Sequence, residues 1–134
     1  MGNDTTATIL FAHGARNPDW RKPLEAIRDA MLSARPDARV ELAFLEFLPL
    51  SLPEAIDLLA VEGRCDLTIV PVFMAQSGHT KRDLPALLAA ATQRHPEVRI
   101  RLTAPIGEAP AVVKAIAAYA LGAESAAGWL QHPT

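Results

Sequence analysis

The chain has 134 residues and a mass of 14.4 kDa, the size of one ordinary domain with a core of its own. Half of the residues are hydrophobic and 21% are charged, which excludes a disordered tail or a collagen-like fibre. Lys and Arg number 13 against 15 Asp and Glu, a net charge of −2 with no basic cluster, so nucleic acid is not an expected partner.

Taken in chain order, short β-type runs alternate with helical ones. Residues 8–12 read as a buried strand. Asn17-Pro18 then offers a cap and a first-turn proline for a helix whose inner face is Trp20, Leu24, Ile27 and Met31, stopped by Pro36. A second strand is expected over 40–47. Ser51-Leu52-Pro53-Glu54 is a capping box that opens a helix through Ile56 and Leu59, ending near Gly63. Residues 67–73 are the most β-branched run and read as a strand buried on both faces. A loop over 74–82 leads to a helix with Thr80 or Asp83 as cap and Leu84, Leu87, Leu88 and Ala91 inside. A fourth strand covers 98–102. Pro110 starts a last helix carrying Val113, Ile116, Ala117 and Ala120, and residues 125–134 are expected to fray.

Strands separated by helices imply a parallel sheet, because parallel neighbours need a crossover connection. The expected fold is a single three-layer, doubly wound α/β domain over 1–134, its core about 8–122, with a four-stranded parallel sheet. Met1 to Thr6 carries no basic residue before a short apolar run, so no signal peptide or membrane span is visible. The single cysteine, Cys65, can form neither an internal disulfide nor a thiolate zinc cluster, which makes a reducing, cytoplasmic setting the expectation.

In an open parallel sheet the ligand site lies at the carboxyl ends of the strands. Three polar groups fall there: His13-Gly14-Ala15-Arg16 after strand one, Glu46 after strand two, and Gln76-Ser77-Gly78-His79-Thr80-Lys81-Arg82 after strand three. Gly14 and Gly78 flank the two histidines and would allow a sharp turn or a close approach to a flat ligand. Two neutral imidazoles with a carboxylate such as Glu46 suit a borderline divalent metal, Co²⁺, Fe²⁺, Ni²⁺ or Zn²⁺, and leave coordination positions open. His13 also reads as a loop histidine bonded to backbone, and Arg16, Lys81 and Arg82 as solubilising cations. His95, at the end of the third helix, is read as complementing exposed carbonyls. Neither GxxxxGK[ST] nor GxGxxG occurs, so no nucleotide is expected.

His13-Gly14-Ala15-Arg16, Phe44-Leu45-Glu46 followed by Pro49-x-Ser51-Leu52-Pro53-Glu54-Ala55-Ile56, and Val70-Pro71-Val72-Phe73 running into Ser77-Gly78-His79-x-x-x-Asp83-Leu84-Pro85 resemble the CbiX/SirB sirohydrochlorin chelatases. The likeness runs from about residue 8 to 120 in order. Ala15 stands where the family pattern has a serine, and Ser77 where it has a glycine. The resemblance implies insertion of cobalt or iron, with nickel a further candidate, into a sirohydrochlorin-type tetrapyrrole. It matches His13 and His79 to the metal-binding histidines and Glu46 to an acidic position. It also implies a flavodoxin-like chelatase fold and, since longer members fuse two such units, a homodimer. Arg16, Lys81 and Arg82 are then candidates to pair with the tetrapyrrole carboxylates, and the last helix is a candidate contact surface between copies. A second reading is a tetrapyrrole or metal carrier that does not catalyse insertion.

Overall fold

The computed structural model describes residues 4–126 and 128–130, with the side chains of residues 79 and 124–126 outside that description. Four strands, β1 (Thr6–Ala12), β2 (Val40–Phe44), β3 (Asp66–Pro71) and β4 (Arg99–Leu102), form one sheet in the order β2-β1-β3-β4. Every pair is parallel, with Leu10 opposite both Leu42 and Val70. The helices are α1 (Lys22–Ala34), α2 (Leu52–Val61), α3 (Gly78–Arg94) and α4 (Pro110–Ala126), with 3-10 turns at Pro18–Arg21 and Ile106–Glu108. The expected α/β class and four-stranded parallel sheet are therefore present.

Alternation along β1 divides the core into two layers. Leu10 and Ala12 face α1, meeting Leu24, Val40, Leu42 and Phe44. Ala7, Ile9 and Phe11 face the other way, against Leu52, Ile56 and Leu59 of α2 and Leu84 and Ala91 of α3. The capping box forms as expected: the Glu54 amide donates to Ser51 Oγ at 3.3 Å and the Ser51 amide to Glu54 Oε1 at 2.9 Å. Gly63 follows α2 with φ +87°, the left-handed residue that stops it.

Several boundaries differ from expectation. Asn17 caps a 3-10 turn rather than α1, its Oδ1 accepting from the Asp19 amide at 2.9 Å. Three residues per turn instead of 3.6 shifts the phase, so Trp20 is 63% exposed rather than on the inner face. β2 stops at Phe44, and residues 45–49 turn away with Phe47 at φ 71°. His95 is an interhelix tie more than an end-cap: its Nε2 lies 2.7 Å from Asp57 Oδ1 of α2. The largest departure is α4. From Pro110 to Ala123 no residue is buried, and the helix packs against the 3-10 turn before it rather than on the sheet. Of the tail expected to fray over 125–134, residues 125 and 126 close α4, and residues 127 and 131–134 lie outside the described residues.

Candidate functional site

β1 sends its chain to α1 on one face, whereas β3 sends its chain to α3 on the opposite face. Neighbouring strands whose exits diverge leave a crevice at their carboxyl ends, the place where doubly wound sheets hold ligands. His13 is the first residue beyond β1 and its side chain is exposed there.

Two contacts hold this residue. Its carbonyl accepts from the Glu46 amide at 3.1 Å, tying the loop after β1 to the loop after β2. Its ring lies 4.6 Å, centroid to centroid, from the Phe73 ring at a 40° tilt. Phe73 is in turn set edge-on against Phe11 at 6.1 Å and is 9% exposed, so the ring under the imidazole belongs to the core. Gly14, at φ +87°, completes the turn, and a Cβ there would collide with the Glu46 carbonyl oxygen. The glycine is thus a steric necessity of the β1 and β2 loops meeting.

Glu46 is exposed beside His13, although the joining hydrogen bond is made by its backbone. Arg16 lies on the rim, its guanidinium 4.6 Å from the centroid of the Phe47 ring. That stacking gives Arg16 a defined position, in place of a free solubilising side chain.

The segment after β3 differs from expectation. α3 begins at Gly78, with Ser77 as its N-cap: Ser77 Oγ accepts from the Thr80 amide at 3.2 Å, and Thr80 Oγ1 bonds the Ser77 carbonyl at 3.1 Å. Thr80, not a cap itself, is buried beneath this turn. His79, Lys81 and Arg82 therefore sit on the first turns of a helix rather than in a loop. The His79 side chain lies outside the described residues, while Lys81 and Arg82 are exposed. Gly78 has neither a positive φ nor any atom within 4 Å of a Cβ built on it, so nothing within the chain demands glycine there.

A small apolar cavity of about 30 Å³ is lined by Phe11, Leu45, Thr80, Asp83, Leu84 and Leu87. Leu45 precedes Glu46 and Thr80 follows His79, so the fold brings the chain positions of all three candidates to one edge. Among the described residues no group of three His, Cys, Asp or Glu side chains gathers to hold a metal. Two aromatic members of the edge, Phe73 and Phe47, were not legible as site residues. Phe73 reads in sequence as the end of a buried strand, and Phe47 as part of β2.

The family model for CbiX matches residues 7–121. The chain is 33% identical over 82 residues to the sirohydrochlorin cobaltochelatase of Methanococcus aeolicus, an alignment covering 61% of this chain and 57% of that protein. It thus spans little more than half the length of such a relative. Among solved structures, a CbiX protein from Marinobacter aquaeolei VT8 superposes with a TM-score of 0.79 at 26% identity, covering 91% of this chain and 99% of that one. The sirohydrochlorin chelatase SirB from Bacillus subtilis subspecies spizizenii, solved in complex with cobalt, superposes with a TM-score of 0.71 at 26% identity, covering 88% of this chain and 50% of that one. With the family model matched over nearly all of the sheet and its helices, the chain belongs to the CbiX family.

Proposed function

We propose that this protein inserts a divalent metal, cobalt or iron, into a sirohydrochlorin-type tetrapyrrole, acting in the cytoplasm as a homodimer of single CbiX-like units. The observation that carries the reading is the exposed His13 imidazole, seated on Phe73 at the crevice beside β1, in a chain of this family. The metal is a substrate here, and so its ligands must bind it and let it go.

Neutral imidazoles suit that task, being intermediate ligands for cobalt, iron and nickel, and they also accept protons. As the ion enters the ring two pyrrole N–H bonds break, and two protons leave for each metal bound. His13 and His79 are assigned to hold the incoming ion and to take those protons, with Glu46 beside His13 as a further acceptor. Arg16, fixed against Phe47, is assigned to the substrate's carboxylates, joined by Lys81 and Arg82 on the first turns of α3. Gly14 and Gly78 line the approach of the ring. One unit presents a single open edge, whereas ligand sites bury most of their ligand, so a second copy is the natural opposite wall.

The test is turnover: the protein is incubated with Co²⁺ and sirohydrochlorin while the tetrapyrrole absorption is followed. Many turnovers, lost in His13→Ala and in His79→Ala with an unchanged circular dichroism spectrum, are the expected result. Stoichiometric binding without turnover would instead assign a carrier.

A further inference from the structure

The apolar cavity of about 30 Å³ at the site edge has no part in the assignments above. Phe11 and Leu84 in its wall are buried, whereas Leu45 and Leu87 are only partly covered, so the space is closed below and open above. Leu45 comes from the loop after β2, Phe11 from the end of β1, and the remaining wall from the first three turns of α3. Leu45 directly precedes Glu46 and Thr80 directly follows His79. The cavity therefore adjoins the candidate site, between the two stretches of chain that carry these residues.

The chemistry of the wall decides what it admits. Thr80 is polar, yet its hydroxyl is already engaged, Oγ1 lying 3.1 Å from the Ser77 carbonyl oxygen and 3.2 Å from Ser77 Oγ. A water inside needs about two to four polar partners, and Phe11, Leu45, Leu84 and Leu87 offer none. Asp83, exposed on the same wall, has the wrong charge for a carboxylate. The volume exceeds the roughly 10–15 Å³ that a water-sized guest requires, but leaves no room for a propionate arm. The guest that suits the cavity is one small apolar group, whose burial in a space that water fills poorly is favourable.

We propose that this cavity is a subsite for a ring methyl group of the tetrapyrrole, and that it makes the protein prefer a methylated ring. The inference rests on the tetrapyrrole reading above. Sirohydrochlorin carries methyl groups on its reduced rings in addition to acetate and propionate arms; uroporphyrin III carries the same kinds of acidic arm and no ring methyl. Arg16, Lys81 and Arg82 would meet carboxylates in both, so charge pairing does not separate them. An apolar contact at the methyl position does, and the presence or absence of one small group in such a pocket is worth about tenfold or more.

The test is equilibrium binding of the two metal-free rings, followed by absorption and fluorescence, and it needs no turnover. Wild type should bind sirohydrochlorin at least about tenfold more tightly than uroporphyrin III. Two variants fill the cavity from opposite walls, Leu45→Phe in the loop and Leu87→Phe on α3. Each should weaken sirohydrochlorin binding about tenfold and move uroporphyrin III binding by less than about twofold, so that the preference collapses. The change in preference from wild type to variant is the informative quantity, because the two rings also differ in shape and that difference is common to all three proteins. Leu45 is 37% exposed, so its variant should keep the circular dichroism spectrum, and it decides the matter if Leu87→Phe does not fold. A preference that survives in a folded, filled variant, or that is missing from the wild type, overturns the methyl subsite and leaves the chelatase reading intact. A wild type that binds neither ring overturns both.

Discussion

The ring of His13 rests 4.6 Å from that of Phe73, centroid to centroid, at a 40° tilt. Phe73 is largely buried and braced against Phe11, so an exposed imidazole is held by the core itself. This makes Phe73 a positioning residue. Phe73→Leu keeps most of the buried volume and should cost about 1 kcal/mol of stability, whereas Phe73→Ala should cost about 3 kcal/mol. The informative readout is the Leu variant's chelatase kinetics. If His13 holds the metal as proposed, a fall in kcat with KM nearly unchanged is expected, since its imidazole loses its orientation while the rest of the crevice stays. Unchanged kcat would reduce Phe73 to packing alone.

Gly14 is the second point at which fold and site coincide. Gly14→Ala meets two obstacles, φ +87° and the Glu46 carbonyl, so the loops after β1 and β2 must separate. A loss of about 1–3 kcal/mol is expected in thermal or urea melts, the range for backbone strain of this kind. Because the displaced pieces carry His13 and Glu46, Co²⁺ affinity should fall in the same variant. A protein that melts and binds cobalt like the wild type would show that the turn can relax without cost.

Acid should loosen the fold through carboxylates far from the site. The hydrogen bond from His95, followed by that from Arg94, holds the Asp57 carboxyl below its ordinary value. The Thr5 hydroxyl and then Arg99 do the same for Asp66, and Arg39 for Glu62. These groups have lower pKa values folded than unfolded. Their stabilisation is therefore complete above the ordinary carboxylate range, near pH 4, and is lost as pH falls through the depressed values. Urea midpoints measured from about pH 6 down to about pH 3 should fall, and Asp57→Asn should flatten part of that slope. A midpoint that holds steady across the interval would refute this account.

Much of the architecture was readable because it depends on local chemistry. The capping box at Ser51 and Glu54 and the left-handed Gly63 act within a few residues and sit where their spacing puts them, whereas the β-branched run expected over 67–73 and buried on both faces is a strand over Asp66–Pro71 buried at alternate residues only. His13 and Glu46 were legible as edge residues for the same reason: each follows a strand, and strand ends of a parallel sheet converge on one side. The start of α3 was misplaced because Ser77, Thr80 and Asp83 are all competent caps. The choice of Ser77 follows from Thr80 being buried beneath it.

The sequence by itself determined the αβ alternation, the buried stripes of α2 and α3 and the residues at the strand ends, all of which follow from side-chain periodicity and turn chemistry along neighbouring positions. Only the tertiary structure decided the strand order β2-β1-β3-β4, the seating of His13 on Phe73, the stacking of Arg16 on Phe47 and the exposure of α4. Those depend on which surfaces meet across long chain separations. An apolar stripe states that a helix must be covered; it does not state by what.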